Sequence, residues 1–180
     1  MTGLSVAGFF VCGIFTGFTW AEGAGILAAW GAAAIAAVIA VIGYSRQRRA
    51  QRRSERATLY GRAIAAVEDY LEAPYRIRRR DTTPEARFAI TTAISDTKAA
   101  ISLHQALLEM HAPTVVTDAY DRFVTAARAE AGPQMTEAWN TPLTTKDRQV
   151  PLGQAYARAA SDAARAELIS AMKADLDHLR

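Results

Sequence analysis

Three histidines, His104, His111 and His178, are the side chains best suited to holding a metal or moving a proton near neutral pH. His104 and His111 are seven residues apart. On a helix they share a face but stand about 10 Å apart along the axis. Zinc bonds nitrogen at about 2 Å, so the two cannot share an ion without distorting the helix. The i, i+4 histidine pair of a metal-binding helix is absent. The acidic groups Glu68, Asp69 and Glu72, and Glu167, Asp175 and Asp177, are the next candidates. Carboxylates do acid–base chemistry when burial pushes their pKa values apart. Here they alternate with apolar residues and flank arginines, as on a solvated helix face. There is no GxGxxG, no phosphate-binding glycine loop and no GxSxG. Cys12, the single cysteine, lies in an apolar stretch and reads as a small apolar residue; it excludes an internal disulfide framework. These residues predict no enzyme, no metal, no cofactor and no small-molecule substrate.

Arginine is the informative polar residue. Net charge is +3, but residues 46–80 hold eleven arginines against four acids, while 1–45 carry only Glu22 and 81–180 are net acidic. The first cluster is Arg46, Arg48, Arg49, Arg52, Arg53 and Arg56, and the second is Arg76, Arg78, Arg79 and Arg80. No aromatic residues are interleaved in the first cluster to stack on bases, so nucleic acid is not expected. An apolar run lies directly before it. Positive charge beside such a run sets membrane topology, and near an anionic leaflet each basic residue adds about 1 kcal/mol of attraction. The ten arginines are therefore candidate contacts to anionic lipid.

The elements that must position these arginines begin in that apolar run. Ile26–Tyr44 is 19 residues without a charge, long enough to cross a bilayer as a helix. Leu4–Trp20 is a second apolar stretch, and residues 21–25 between the two carry Glu22 and two glycines, which suits a turn. The pattern predicts a transmembrane helical hairpin, 4–20 and 26–44, with Trp20 and Tyr44 at headgroup level. Gly8, Gly13 and Gly17 on the first helix, and Ala28, Gly31 and Ala32 on the second, form small faces that let the backbones approach in lipid. Two other readings of the first stretch are a signal peptide, against which the missing basic n-region speaks, and a helix lying in the interface. The arginines predict a cytoplasmic C-terminal part, and the hairpin returns the N-terminus to the same side.

The remainder reads as all-α. Nothing breaks a helix from Ser45 to Ala73, and Tyr60, Ala63, Ile64, Val67, Tyr70 and Leu71 form its apolar face. Residues 74–82 read as a basic connector. Thr83, Pro84 and Glu85 start a helix to about His111 whose apolar residues exceed one stripe, as if it met two neighbours. The next helix spans 113–131, with Val116, Ala119, Tyr120, Phe123, Val124 and Ala127 buried; Gly132-Pro133 stops it, and a short turn follows at 135–139. A polar loop covers 140–149. The last helix runs from about Pro151 to Leu179, with a face of Leu152, Tyr156, Ala159, Ala163, Ala166, Ile169, Met172, Leu176 and Leu179. The expected domains are a hairpin at 1–45, a basic juxtamembrane helix and connector at 46–82, and the rest of an antiparallel bundle of about four helices at 83–180.

This architecture predicts a non-enzymatic interaction or scaffold protein at the inner face of a bacterial, or phage-infected, cell membrane. Membrane lipids and a protein partner or a second copy are the expected contacts. The alternative is a holin-like or phage-defence effector whose hairpins oligomerise and permeabilise the bilayer. Against it, neither membrane helix has a polar stripe to line a pore, apart from Thr16 and Thr19.

Overall fold

The computed structural model describes residues 20–142 and 155–179, with side chains from residue 37 onward. All regular structure among them is helical: α1 (Trp20–Leu71), α2 (Ala73–Arg78), α3 (Pro84–His111), α4 (Thr114–Asn140) and α5 (Ala159–His178). The chain forms two compact units, one ending at Arg48 and one beginning at Arg49. Residues 49–82, the greater part of the basic juxtamembrane helix and connector, fall in the second unit with the remainder of the bundle.

Four helices pack as a bundle around one core in the second unit. Tyr60, Val67 and Leu71 come from α1, Ile101 and Leu108 from α3, Tyr120 and Phe123 from α4, and Leu168 and Met172 from α5. Burying each large side chain contributes roughly 1.5–3 kcal/mol. The apolar spacing read from α1 and α4 is the spacing that is buried, with Ile64 only partly covered. The contacts also fix the sense of the helices. As α1 advances from Arg56 to Glu68, its partners on α5 retreat from Asp175 to Arg158. Gln105 on α3 likewise donates to Asp121 on α4 across the short link at 112–113.

The start of α3 follows its sequence signals. Thr83 has extended backbone angles and its hydroxyl accepts the N–H of Ala86 at 3.2 Å, with Pro84 and Glu85 in the first turn.

Elsewhere the boundaries differ from expectation. Pro74 does not open a connector. Helix α1 ends at Leu71, and Pro74 sits in the first turn of α2, where a missing N–H is not needed. Gly132-Pro133 does not stop α4, which continues to Asn140. Pro133 is exposed, so water can serve the carbonyl that its ring frees, while Ala131 and Ala138 on either side are fully buried and hold the helix on course. Helix α5 begins at Ala159, not near 151, because residues 156–158 are held by other elements. The Tyr156 N–H donates to the Tyr75 hydroxyl at 2.9 Å, and the Ala157 carbonyl accepts from Gln134 at 2.8 Å.

The face of α5 also differs. Ala159, Ala163, Ala166 and Ile169 are exposed, and the buried positions are Ser161, Leu168, Met172 and Asp175. On α3, Ile101 and Leu108 are buried while Phe88, Leu103 and Met110 stand in solvent. The second apolar stripe read on α3 therefore has no neighbour among the described residues.

The first hairpin helix at 4–20, with Gly8, Gly13 and Gly17, lies outside the residues described in full, as do the side chains of Ala28, Gly31 and Ala32. The loop at 143–149 also lies outside them. Residues 21–25, expected as a turn, are helical backbone in α1. Two glycines at about 1 kcal/mol each relative to alanine do not end an alanine-rich helix. Among the described residues no helix is long and apolar enough to cross a membrane.

Candidate functional site

The arginine run is the site the sequence singles out, and its members divide by what they touch. In the first unit, Arg46 is exposed and the guanidinium of Arg48 lies 4.7 Å from the centre of the Tyr44 ring, one helical turn back. Before them, Val38, Ile39, Val41, Ile42 and Tyr44 are all exposed. At about 100° per residue they point to every side of the helix, whereas an ordinary surface helix is apolar along one stripe.

In the second unit, Arg49 and Arg52 are exposed and have no ion-pair partner among the described residues. Arg53 approaches Asp177 at 3.8 Å. Arg56 is different. Its Nη1 donates to both carboxylate oxygens of Asp175 at 2.7 Å, and the Tyr60 hydroxyl donates to Oδ2 at 2.7 Å. Asp175 is only 8% exposed, so this carboxylate is buried yet fully answered. The hydrogen bond to Asp175 is the largest influence on Arg56 and raises its pKa. Burial, then the hydrogen bond to Asp175, push the Tyr60 phenol far above its usual range. This cluster fixes α5 to the basic end of the bundle's α1 segment.

Two further clusters hold the other end of α5. Arg158 Nη2 donates to Glu68 at 2.5 Å, and Arg165 Nη1 donates to its other oxygen at 3.0 Å. Burial works to raise the pKa of Glu68, but these two guanidinium groups outweigh it and hold the carboxyl below its usual range. Glu130 on α4 accepts the Ala160 N–H at 2.8 Å, the Ser161 N–H at 3.1 Å and the Ser161 hydroxyl at 2.5 Å. It thereby caps the N-terminus of α5 from a neighbouring helix, and these bonds lower its pKa against the effect of burial.

The second arginine group is engaged within the fold. Arg80 donates to the carbonyls of Ala138 at 2.8 Å and Trp139 at 2.9 Å, and lies 4.8 Å from the centre of the Trp139 ring. It closes the C-terminus of α4, whose last carbonyls have no helical partner. Arg76 pairs with exposed Asp69 at 2.9 Å, Arg78 stacks at 5.4 Å on Tyr156, and Arg79 bonds the Tyr75 carbonyl.

The residues weighed for catalysis do not assemble. Glu68, Asp175 and Asp177 face arginines, Asp69 is exposed, and Glu167 pairs loosely with Arg122 at 3.4 Å. His104 is half-buried, with its pKa lowered by burial and by Arg62, and its Nδ1 has no hydrogen-bond partner. His111 instead lines a groove of about 540 Å³ with Arg52, Leu59, Leu107 and Leu179. Among the described residues no three His, Cys, Asp or Glu side chains gather as a metal would require. No family model matches the chain, and no curated protein or solved structure is similar to it.

Sequence reasoning missed Asp175 as a buried anchor and Glu130 as a cap. Both lie on faces whose polarity looks solvated, and only their partners, 119 and 31 residues away, reveal them.

Proposed function

We propose that this protein is a non-enzymatic interaction module anchored at the inner face of a bacterial cell membrane. Its N-terminal apolar segment forms the anchor, with the part that follows the arginines in the cytoplasm, and the antiparallel bundle is the part that recognises a partner. The observation that carries this reading is the apolar belt at residues 38–44, exposed on every side and followed directly by arginines. A helix apolar all round belongs in the core of a protein or in lipid, and these side chains are not in a core. Tyr44 and Arg48, stacked at the border, are the residue types favoured at headgroup level. Arg46, Arg48, Arg49 and Arg52 are free to meet anionic lipid, whereas Arg56 and Arg80 already hold helices together.

The bundle supports the interaction half. Its charged clusters join helix to helix, while one face of α3 offers apolar side chains to solvent. The test is fractionation with alkaline carbonate washing. The full chain is expected to stay with the membranes, and residues 49–180 expressed alone to stay in the supernatant. Recovery of the full chain in the supernatant, or an external reporter fused after Arg180, overturns the anchor.

A further inference from the structure

Helix α3 shows the core one face and shows solvent an apolar seam on the opposite face. Phe88, Leu103 and Met110 are 74%, 58% and 65% exposed. Ala99 and Ala106 lie exposed on the same line, and Thr92 and Ser95 complete it towards Phe88. Successive members are separated by four, three, four, four, three and four residues. Steps of four, three and four make an eleven-residue repeat, here present twice, which is close to the helical period and keeps one line of the helix turned towards a single partner. The seam runs about 33 Å and contains no charge.

The charges stand beside it. At about 100° per residue, Glu85 and Asp96 fall on one side of the seam, and Arg87, Lys98 and, near the far end, Glu109 fall on the other. Glu85, Asp96 and Lys98 have no ion-pair partner among the described residues. Arg87 has only the Trp139 ring, 5.9 Å away. Between Glu85 and Lys98 the acids stand on one flank and the bases on the other, and a stretch of that kind complements itself. When two such helices lie parallel about a two-fold axis, the acidic flank of each meets the basic flank of its mate. Glu85 then lies near the partner's Arg87, and Asp96 near the partner's Lys98, each two residues apart in height, and each pair occurs twice. An antiparallel pair crossing at Ala99 brings like flanks together; it gains a contact between Glu109 and the partner's Arg87 but sets the two copies of Lys98 against each other and leaves Asp96 unanswered.

We propose that α3 is a self-association helix, pairing in parallel with α3 of a second copy through Phe88, Ala99, Leu103, Ala106 and Met110. This rests on the interaction reading above and names the partner: another molecule of the same chain. The large residues at the ends and middle of the seam fill the space that the alanines leave, so the helices can approach closely. Desolvating the exposed Phe88, Leu103 and Met110 drives association, and the flanking charges choose the orientation.

The experiment uses the full chain in native membranes, with Cys12→Ala as background and one added cysteine at a time: Thr92→Cys, Ala99→Cys or Ala106→Cys. Under mild oxidation all three are expected to give a dimer-sized band, because in a parallel pair each residue meets itself. A band from Ala99→Cys alone overturns the parallel arrangement. No band, or bands no stronger than from Ser170→Cys on α5, overturns the pairing. Lys98→Glu in the Ala99→Cys chain is expected to weaken the band severalfold, and adding Asp96→Lys to restore it; a band indifferent to both overturns the charge argument. Fractionating the same cells separates the two proposals. A dimer in the supernatant removes the anchor and leaves the pairing, while a membrane-bound monomer removes the pairing and leaves the anchor.

Discussion

Two tyrosines show how one hydroxyl can stabilise or weaken a core according to its partner. The Tyr60 phenol donates to Asp175 at 2.7 Å, whereas the Tyr120 hydroxyl is fully buried and has no hydrogen-bond partner among the described residues. Removing one member of a satisfied buried pair leaves the other uncompensated, while removing an orphan relieves a desolvation cost. Tyr60→Phe is therefore expected to destabilise the bundle by about 1–2 kcal/mol, and Tyr120→Phe to leave it unchanged or stabilise it by up to about 1 kcal/mol. Urea unfolding of both variants checks this, and equal losses would refute it. The difference is not legible in the sequence, because both residues occupy the same kind of apolar helical position. Hydropathy reports that a tyrosine is inside and says nothing of what its oxygen finds there. For the same reason the sequence indicated the arginines as a group but could not separate Arg52, which is exposed, from Arg56, which grips a buried carboxylate.

At the scale of the element, α5 departs most from its sequence. Hydrophobic spacing located α1 and α4 because their buried faces are apolar throughout. The buried face of α5 includes Ser161 and Asp175, so its apolar spacing meets the core at Met172 and Leu176 but points to the exposed side from Ala159 to Ile169. Its attachment joins the core packing of Leu168 and Met172 to polar clasps, Glu130 at one end and Arg56 at the other. That gives it a dependence on pH. The folded-state pKa of Glu130 is lowered, so its contribution is complete above the ordinary carboxylate range and is lost as pH falls through the lowered value. Glu130→Gln is expected to cost about 1 kcal/mol at pH 7, the usual worth of a helix cap, with the difference from the parent shrinking below about pH 4. Urea titrations at pH 7 and pH 3 measure it. A gap of the same size at both would mean that the carboxylate's charge plays no part.

For the molecule as a whole, the division at Arg48 and Arg49 specifies where a free-standing body starts. All the core residues, from Tyr60 to Met172, lie beyond that point. Residues 49–180 are expected to be helical and to unfold in one cooperative transition. A fragment starting at residue 57 lacks Arg56, leaves Asp175 without its guanidinium, and should be less stable by about 2–3 kcal/mol, in line with breaking a partly buried ion pair. Matched denaturation curves decide the point; identical midpoints would show that the Arg56 pair contributes nothing. The fold class and most of the core were readable from periodicity, because they depend on bulk burial. The helix ends at Pro74, Pro133 and Ala159 were not, because long-range contacts such as that of Arg80 with the end of α4 override local stop signals.

Arg56 belongs at once to a cluster suited to attracting anions and to the clasp on the final helix. An incoming phosphate that claims this guanidinium must first evict Asp175. Docking through that side chain and unfastening of the chain's last helix are therefore a single exchange, in which a stranger's negative charge takes the place of the protein's own.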